Sequence, residues 1–182
     1  ANTGVNSTTK TQVIGSYTST AFGGKLDANT FTLDGWTFRG WNTERNGSGT
    51  AYTNEQEVTF TSASGDTLTL YAQWYRFNKD SSITVPGSDS TPNTDKDVTI
   101  HPNGNDKPSI DDKGNVKVPN GAEVTTPNGT IIPPNGSIVK PDGTIVAPDD
   151  NGSTEPGVEI DPSKPGDATN KFITVTYKYG RT

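Results

Sequence analysis

The stretch at residues 67–77, TLTLYAQWYRF, decides the fold class of this chain. Its side chains alternate between two faces, as they do in a half-buried β-strand. One face carries Leu68, Leu70, Ala72 and Trp74, and the other carries Thr67, Thr69, Tyr71 and Gln73. The alternation predicts a β-strand.

Further strand and turn signals precede this stretch. Residues 31–41, FTLDGWTFRGW, break at Asp34-Gly35, a turn signal, and resume with Trp36 and Phe38 on a common face. A second turn signal, NGSG, stands at residues 46–49, and no window shows a sustained helical period. Residues 1–77 are therefore predicted to form a small antiparallel sheet domain, the head.

Composition restricts the size of any core and the class of partner. Only 27% of the 182 residues are hydrophobic, which argues against one core spanning the chain, because burial has to offset the entropy of ordering. The net charge of -6 makes nucleic acid a poor partner. The chain has no Cys, which excludes disulfides and thiolate metal sites, and no apolar run approaches the roughly 18–20 residues of a membrane span.

The composition changes sharply after the head. All 13 prolines lie between Pro86 and Pro165, and no aromatic residue occurs from 78 to 171. Because large buried side chains build cores, we expect a core-poor middle followed by a short apolar tail. The predicted divisions are the head at 1–77, a linker at 78–99, a repeat segment at 100–152, a second linker at 153–169 and a C-terminal strand at 170–182.

The repeat segment has a period close to seven. Its glycines stand at 114, 121, 129, 136 and 143, and four of them close a Pro-Asn-Gly or Pro-Asp-Gly triplet. Proline sets the first turn position and glycine takes the left-handed one, so each triplet predicts a turn, followed by a short β-branched strand. A thin meander with little core of its own is favoured; a β-solenoid is the alternative.

The tail is the clearest strand of the sequence, with no local partner. Its alternating apolar positions predict an interaction strand, namely Phe172, Ile173, Val175, Tyr177 and Tyr179. The fold as a whole is expected to be mainly β: a small β-grasp-like sheet domain, a Pro/Gly-rich short-strand segment and an isolated C-terminal strand.

A search for chemistry yields no catalytic, cofactor-binding or metal-binding residues, so we expect no enzyme and no cofactor. The single histidine, His101, stands beside a Pro-Asn-Gly turn. Acidic pairs at 111–112 and 149–150 loosely suggest Ca²⁺, but turn chemistry explains both. Trp36, Trp41, Trp74 and Tyr71 are the candidates for a sugar-stacking platform, although a core role is favoured in a domain this small.

The head resembles a known family, the Listeria–Bacteroides repeat, which is related to the B-repeat of internalin B. The resemblance covers about 40 residues, GWTFRGWNTERNGSGTAY followed by LTLYAQW. It rests on Gly35, Trp36, Phe38, Gly40, Trp41, Tyr52, Leu70, Tyr71, Ala72 and Trp74, with Gly49 and Gln73. It implies a small β-grasp-like domain in secreted or wall-attached bacterial proteins, used as a spacer or adhesive module without catalysis.

One departure from the family pattern motivates a hypothesis about partners. The opening strand of the family is missing here, and residues 173–180 resemble it. The tail is therefore predicted to fill an open edge of the head by strand addition, within the chain or in the next subunit, or else to begin a further repeat.

The expected function is an extracellular structural subunit of a bacterial surface appendage or stalk, which polymerises head-to-tail through the tail. The alternative is a fragment of a tandem-repeat adhesin with a host or glycan ligand. The expected partners are copies of the chain or neighbouring repeats, with no nucleic acid and no membrane span, and the expected location is the bacterial cell surface.

Overall fold

A computed structural model describes residues 12, 22–44, 47–60, 67–87, 95–154, 157–164 and 173–175. These residues form strands and turns with no helix, which confirms the mainly β class, while the β-grasp layout of the head stays a prediction. The strands are β1 (Phe22–Lys25), β2 (Thr37–Asn42), β3 (Ala51–Tyr52), β4 (Glu57–Phe60), β5 (Tyr71–Phe77), β6 (Ile83–Val85), β7 (Val98–Ile100), β8 (Ser109–Ile110), β9 (Val116–Lys117), β10 (Val124–Thr126), β11 (Gly129–Ile132), β12 (Ile138–Val139), β13 (Ile145–Ala147), β14 (Val158–Ile160) and β15 (Ile173–Val175).

The described strands form three antiparallel sheets. The largest has eight strands in the order β15-β11-β10-β7-β6-β5-β2-β3, and a second has five in the order β14-β13-β12-β9-β8. The pair β1–β4 forms the third. Between residues 109 and 160 the chain starts in the five-stranded sheet, crosses to the eight-stranded sheet for β10 and β11, and returns for β12, β13 and β14.

Strand β5, which lies within the alternating stretch at residues 67–77, joins the head to the rest of the chain. It pairs with β2 of the head on one side and with β6 on the other. A β-bulge interrupts the β2–β5 pairing between Phe38 and Gly40. Because the extra residue resets the alternation, Phe38 pairs with Trp74 and Trp41 with Ala72, so both aromatic side chains face one way. The intervening Arg39 faces the five-stranded sheet instead.

The main core lies between the two larger sheets. It combines buried side chains from both, and those with at most 2% exposure are Tyr75, Val85, Ile100, Val116, Ala122, Val124, Ile131, Val139 and Ile145. Neighbouring apolar residues of a short strand face opposite sides of the sheet, because side chains alternate along a strand. Val139 thus joins this cluster and Ile138 does not. Face-to-face packing of two antiparallel sheets makes this part of the chain a β-sandwich.

The turns of the repeat segment match their sequence signals. The glycines at 114, 121, 129, 136 and 143 all have positive φ. Gly143 N donates to Lys140 O at 2.9 Å, and Lys140 N donates to Thr144 O at 2.8 Å, which closes the turn between β12 and β13. A Cβ on Gly143 would lie 2.9 Å from Val98 Cγ2, so this turn packs closely on the opposite sheet.

Two expectations about the middle of the chain are wrong. The predicted linker at 78–99 contains β6, which is buried, and most of β7, while β14 lies within the predicted linker at 153–169. The repeat segment is not a thin ladder, because it supplies more than half of the sandwich core. A β-solenoid is also ruled out for the described residues, where all strand pairs are antiparallel.

Candidate functional site

The C-terminal strand pairs with the repeat segment rather than with the head. Strand β15 lies antiparallel to β11, with Thr130 opposite Val175 and Ile132 opposite Ile173. Strand β15 and the head strand β3 occupy opposite edges of the eight-stranded sheet. Residues 173–175 therefore do not fill an open edge of the head in this structure, contrary to the prediction for the tail. The predicted isolation of the strand is wrong as well. Phe172, Tyr177 and Tyr179 lie outside the described residues.

Strand β15 covers an otherwise open edge. Without β15, β11 would be the edge strand of the sheet, and its outer backbone N–H and C=O groups would be unpaired. Unpaired groups of this kind allow another strand to add to the sheet. Ile131 of β11 is 1% exposed in the sandwich core, and Val175 of β15 is half-buried. The interaction strand is thus a strand of the main sheet, and its acceptor is β11.

The family-like residues of the head form an aromatic cluster on the other face of the same sheet. The rings of Phe38 and Trp41 meet edge-to-face at 4.9 Å, and those of Phe38 and Trp74 at 5.6 Å. Phe31 reaches Trp41 at 6.0 Å. Trp74 is buried and the other three rings are half-buried, and these side chains pack with each other.

The remaining motif residues support this cluster from its edges. A Cβ on Gly40 would lie 2.7 Å from Tyr52 O, so only glycine fits at the bulge beside β3. Gly35 has a φ of 77° in the turn that precedes β2. Among the other motif positions, Gln73 is buried, Gly49 is exposed, and the half-buried ones include Tyr52, Leu70, Tyr71 and Ala72.

A charged pair lies next to the aromatic cluster. The guanidinium of Arg76 stacks 4.8 Å from the ring centroid of Trp36, and its Nη2 donates to Asp97 Oδ2 at 3.3 Å. The Asp97 side chain is 8% exposed, and its Oδ1 accepts no hydrogen bond from the described residues. Burial raises the pKa of Asp97 above its ordinary value, although the charge of Arg76 opposes this.

Two hydrogen bonds tie the eight-stranded sheet to the edge of the five-stranded one. The hydroxyl of Tyr75 donates to Gly114 O, and Arg39 Nη2 donates to Asp111 O at 2.7 Å. Burial strongly raises the pKa of Tyr75, so the phenol keeps the proton that it donates. Both acceptors belong to the turn between β8 and β9, so this turn is fixed against the head strands.

An open groove of about 420 Å³ lies beside these ties, between the two larger sheets. Strands β5 and β6 and the turn between them form one wall, and residues 107–110 form the other. Its lining includes the exposed ring of Phe77 and the cationic side chains of Arg39 and Lys107. The sequence did not single out these three residues, because their separation along the chain gives no signal that they meet.

The acidic turns hold their own backbone. Asp111 Oδ1 accepts hydrogen bonds from the backbone N–H of Lys113 and Asn115, both at 2.9 Å. Asp149 Oδ1 accepts the equivalent bonds from Asn151 and Ser153. These Asx-type turns account for the acidic pairs. No group of three or more potential metal ligands occurs in the described part of the chain.

The single histidine lies on a sheet surface. His101 Nε2 lies 3.0 Å from Thr125 Oγ1, a contact between β10 and the residue that follows β7. The structure thus gives this residue a hydrogen-bonding role beside the sheet.

Comparison with known proteins gives one partial relative. A stretch of 48 residues, 26% of this chain, is 52% identical to a protein of Evansella cellulosilytica named "Putative Gly-rich membrane protein". The match spans 5% of that protein's length. No family model matches the chain, and no solved structure matches it. Within the described ranges no helix is long and apolar enough to cross a membrane.

Proposed function

We propose that this chain is an extracellular structural module of a bacterial cell-surface protein, where it serves as a stiff spacer. The observation that carries the proposal is the continuous eight-stranded sheet. It runs from the head through β5 and β6 into the repeat segment, so no hinge separates the head from the sandwich along the sheet. A spacer needs this stiffness, because strands hydrogen-bonded in one sheet cannot rotate independently.

Two further observations support a surface location. The partial relative is named as a Gly-rich membrane protein, and the head resembles a module of secreted or wall-attached proteins. The composition is polar, with a mean hydropathy of -0.72, which suits a module whose outer faces contact water. The module is then one part of the outward-facing region of a longer protein.

Antibody labelling of intact cells tests the location. Antibodies raised against this chain are applied to whole and to lysed cells of the organism that encodes it, with a cytoplasmic protein as the control. Labelling of whole cells, abolished by external protease, is the expected result. Labelling that requires lysis, as for the cytoplasmic control, would contradict the proposal.

A finer role is assembly by exchange of the C-terminal strand, and the position of β15 favours it. This strand pairs at a sheet edge and follows β14, which lies in the other sheet. The same pairing with β11 is available to β15 of a second copy, with no loss of hydrogen bonds. Such exchange is a low-cost route to oligomers and, when it does not close, to filaments.

Engineered disulfides distinguish pairing within the chain from exchange. The native chain has no cysteine, so Thr130→Cys with Val175→Cys creates one defined pair across the β11–β15 register. Opposite residues of an antiparallel pair lie about 4.5–5.5 Å apart, within disulfide range. Thr99→Cys with Thr125→Cys is the matched control, because it links the adjacent inner strands β7 and β10.

Assembly predicts a ladder of oligomers on a non-reducing gel for the first pair and a cross-linked monomer for the control. A cross-linked monomer for both pairs would contradict exchange. It would leave the spacer proposal intact, since that depends on the location and on the stiffness of a single chain.

A further inference from the structure

The groove between the sheets carries an aromatic ring that the core does not use. Phe77 is 55% exposed, whereas Ile83, its partner across β5 and β6, is 4% exposed. Phe77 lies at the end of β5, beyond the last residue that pairs with β2. The ring therefore forms one side of a concave surface instead of filling the sandwich.

Two cations lie along the same groove. Among the described residues, Arg39 makes one hydrogen bond, to Asp111 O, which leaves most of its N–H donors available within that part of the chain. Lys107 is exposed and makes no ion pair with a described residue. The nearby Asp80 carboxylate is turned onto Ser82, accepting from its backbone N at 2.9 Å and its Oγ at 2.7 Å. The groove thus carries two cationic side chains, and the nearby Asp80 carboxylate makes its hydrogen bonds to Ser82 and not to either of them, in a chain of net charge -6.

Small hydroxyl groups complete the lining. Ser81 and Ser109 both line the groove, and Ser81 is held at a φ of 70°, in the left-handed region that side chains rarely adopt. The turn is fixed by Asn78, whose Nδ2 donates to Ser82 Oγ at 2.9 Å and to Thr84 Oγ1 at 3.0 Å. The Ser81 hydroxyl is therefore presented from a fixed turn and the Ser109 hydroxyl from β8, which lowers the entropic cost of binding.

The groove does not suit an extended peptide added as a strand. Its edge strand, β8, has two residues and follows Pro108, which has no backbone N–H to donate. The carbonyl of Asp111, next along this edge, already accepts from Arg39. A ligand has to be recognised by side chains instead of by backbone pairing.

We propose that this groove binds a carboxylate-bearing sugar residue of an acidic polysaccharide. The sugar face packs on the Phe77 ring, the carboxylate lies between Arg39 and Lys107, and the sugar hydroxyls reach Ser81 and Ser109. A volume of about 420 Å³ falls within the range of small-ligand sites, which is roughly 300–1,000 Å³. The site would give the spacer contact with an acidic glycan at the cell surface, and it does not depend on assembly through β15.

A titration with an oligogalacturonate trimer, followed by amide chemical shifts in the full chain, tests the proposal. The methyl-esterified trimer is the neutral match, and an oligoglutamate of equal charge represents an acidic peptide. We expect saturable binding of the acidic trimer at about 1 mM or tighter, with shifts at residues 77–83 and 107–110. The ester and the peptide should bind at least tenfold more weakly.

Two substitutions and two matched controls locate the site. Phe77→Ala and Lys107→Gln should each weaken binding about tenfold, equivalent to about 1.4 kcal/mol. Leu68→Ala and Lys117→Gln remove an exposed apolar and an exposed cationic side chain outside the groove, and should leave binding unchanged. Thermal melting of each variant checks the fold, which these exposed positions should not disturb.

Several results would overturn the proposal. Absence of saturable binding would do so, as would equal binding of the neutral ester. Equal or tighter binding of oligoglutamate would mean that the groove binds an acidic peptide and not a sugar. Binding that the control substitutions weaken as much as Phe77→Ala and Lys107→Gln would place it elsewhere on the surface.

Discussion

The two faces of the eight-stranded sheet carry cores of different kinds. On one face a few large rings meet edge-to-face, and Trp74 is the most buried of them. On the other face many small side chains, mostly Val and Ile, pack against the five-stranded sheet, and several are 0% exposed. The same strand, β5, supplies Trp74 to the first core and Tyr75 to the second.

This comparison shows that the lack of aromatics after residue 77 does not mean the lack of a core. β-Branched side chains pack well on a pleated surface, and two sheets that face each other need no large rings to fill the space between them. Val124, in β10 of the eight-stranded sheet, and Val139, in β12 of the five-stranded sheet, are each 0% exposed. The repeat builds a core because its strands are divided between two facing sheets.

The largest expected effect tests whether the two cores unfold together. Ile100→Ala, in the sandwich, should lower the free energy of unfolding by about 2–5 kcal/mol, and Trp74→Ala, in the aromatic cluster, by about 3–5 kcal/mol. All three tryptophans lie in the head, so their fluorescence reports on that side alone. Because the sheet is continuous, we expect Ile100→Ala to shift the urea transition equally by fluorescence and by circular dichroism.

A conservative change at the same position provides the control for that experiment. Ile100→Val should cost about 0.5–1.5 kcal/mol and again move both transitions together. If the circular dichroism transition of Ile100→Ala shifts while the fluorescence transition stays in place, the two cores unfold independently. That result would contradict the expectation that the continuous sheet couples them.

The next effect concerns the tie between β5 and the five-stranded sheet. Tyr75→Phe removes the hydroxyl that donates to Gly114 O and leaves that carbonyl without its donor. We expect a loss of about 1–3 kcal/mol in the free energy of unfolding, because a buried acceptor loses its partner. Tyr52→Phe, on a half-buried residue of β3, is the control. An equal loss in both variants would mean that the Tyr75 bond contributes nothing specific.

A smaller effect separates turn conformation from packing in the repeat segment. Gly143 and Gly152 have similar φ values, 81° and 79°, but only at Gly143 would a Cβ meet another group, Val98 Cγ2. Gly152→Ala should cost about 1–2 kcal/mol for the left-handed conformation alone, and Gly143→Ala should cost more. Equal urea midpoints for the two variants would show that this turn does not pack on the opposite sheet.

The smallest effect is a pH dependence beside the aromatic cluster. Burial raises the pKa of Asp97, so the folded chain binds this proton more tightly than the unfolded chain. The contribution of Asp97 to stability therefore falls as pH rises from its ordinary value through the raised one, and then levels off. Asp97→Asn keeps an oxygen for Arg76 and does not titrate.

The urea midpoints of the wild type and of Asp97→Asn are compared from about pH 3.5 to 7. The midpoint of Asp97→Asn minus that of the wild type should increase as pH rises. The titration of the other carboxyl groups affects both proteins alike, so it cancels in this difference. A difference that shifts the opposite way would mean that the attraction of Arg76 outweighs burial at this site.

The sequence by itself determined the local features of this protein. Alternation predicted a strand at residues 67–77, most of which became β5, and another at the C-terminal tail, where β15 is found. The Pro-Asn-Gly and Pro-Asp-Gly triplets predicted left-handed glycines, and Gly136 and Gly143 have them. These features depend on the period of two and on turn stereochemistry, which a few neighbouring residues fix.

Tertiary structure alone decided the pairing of strands that are far apart in the chain. The alternation in residues 173–175 is compatible with any open sheet edge, and it was β11, not the head, that offered one. The bulge at Arg39 that joins Phe38 and Trp41 on one face, and the groove that brings Phe77 to Lys107, follow from the same long-range choices. Periodicity shows which side of a strand is apolar, but the partner depends on which edges and faces the rest of the chain leaves uncovered.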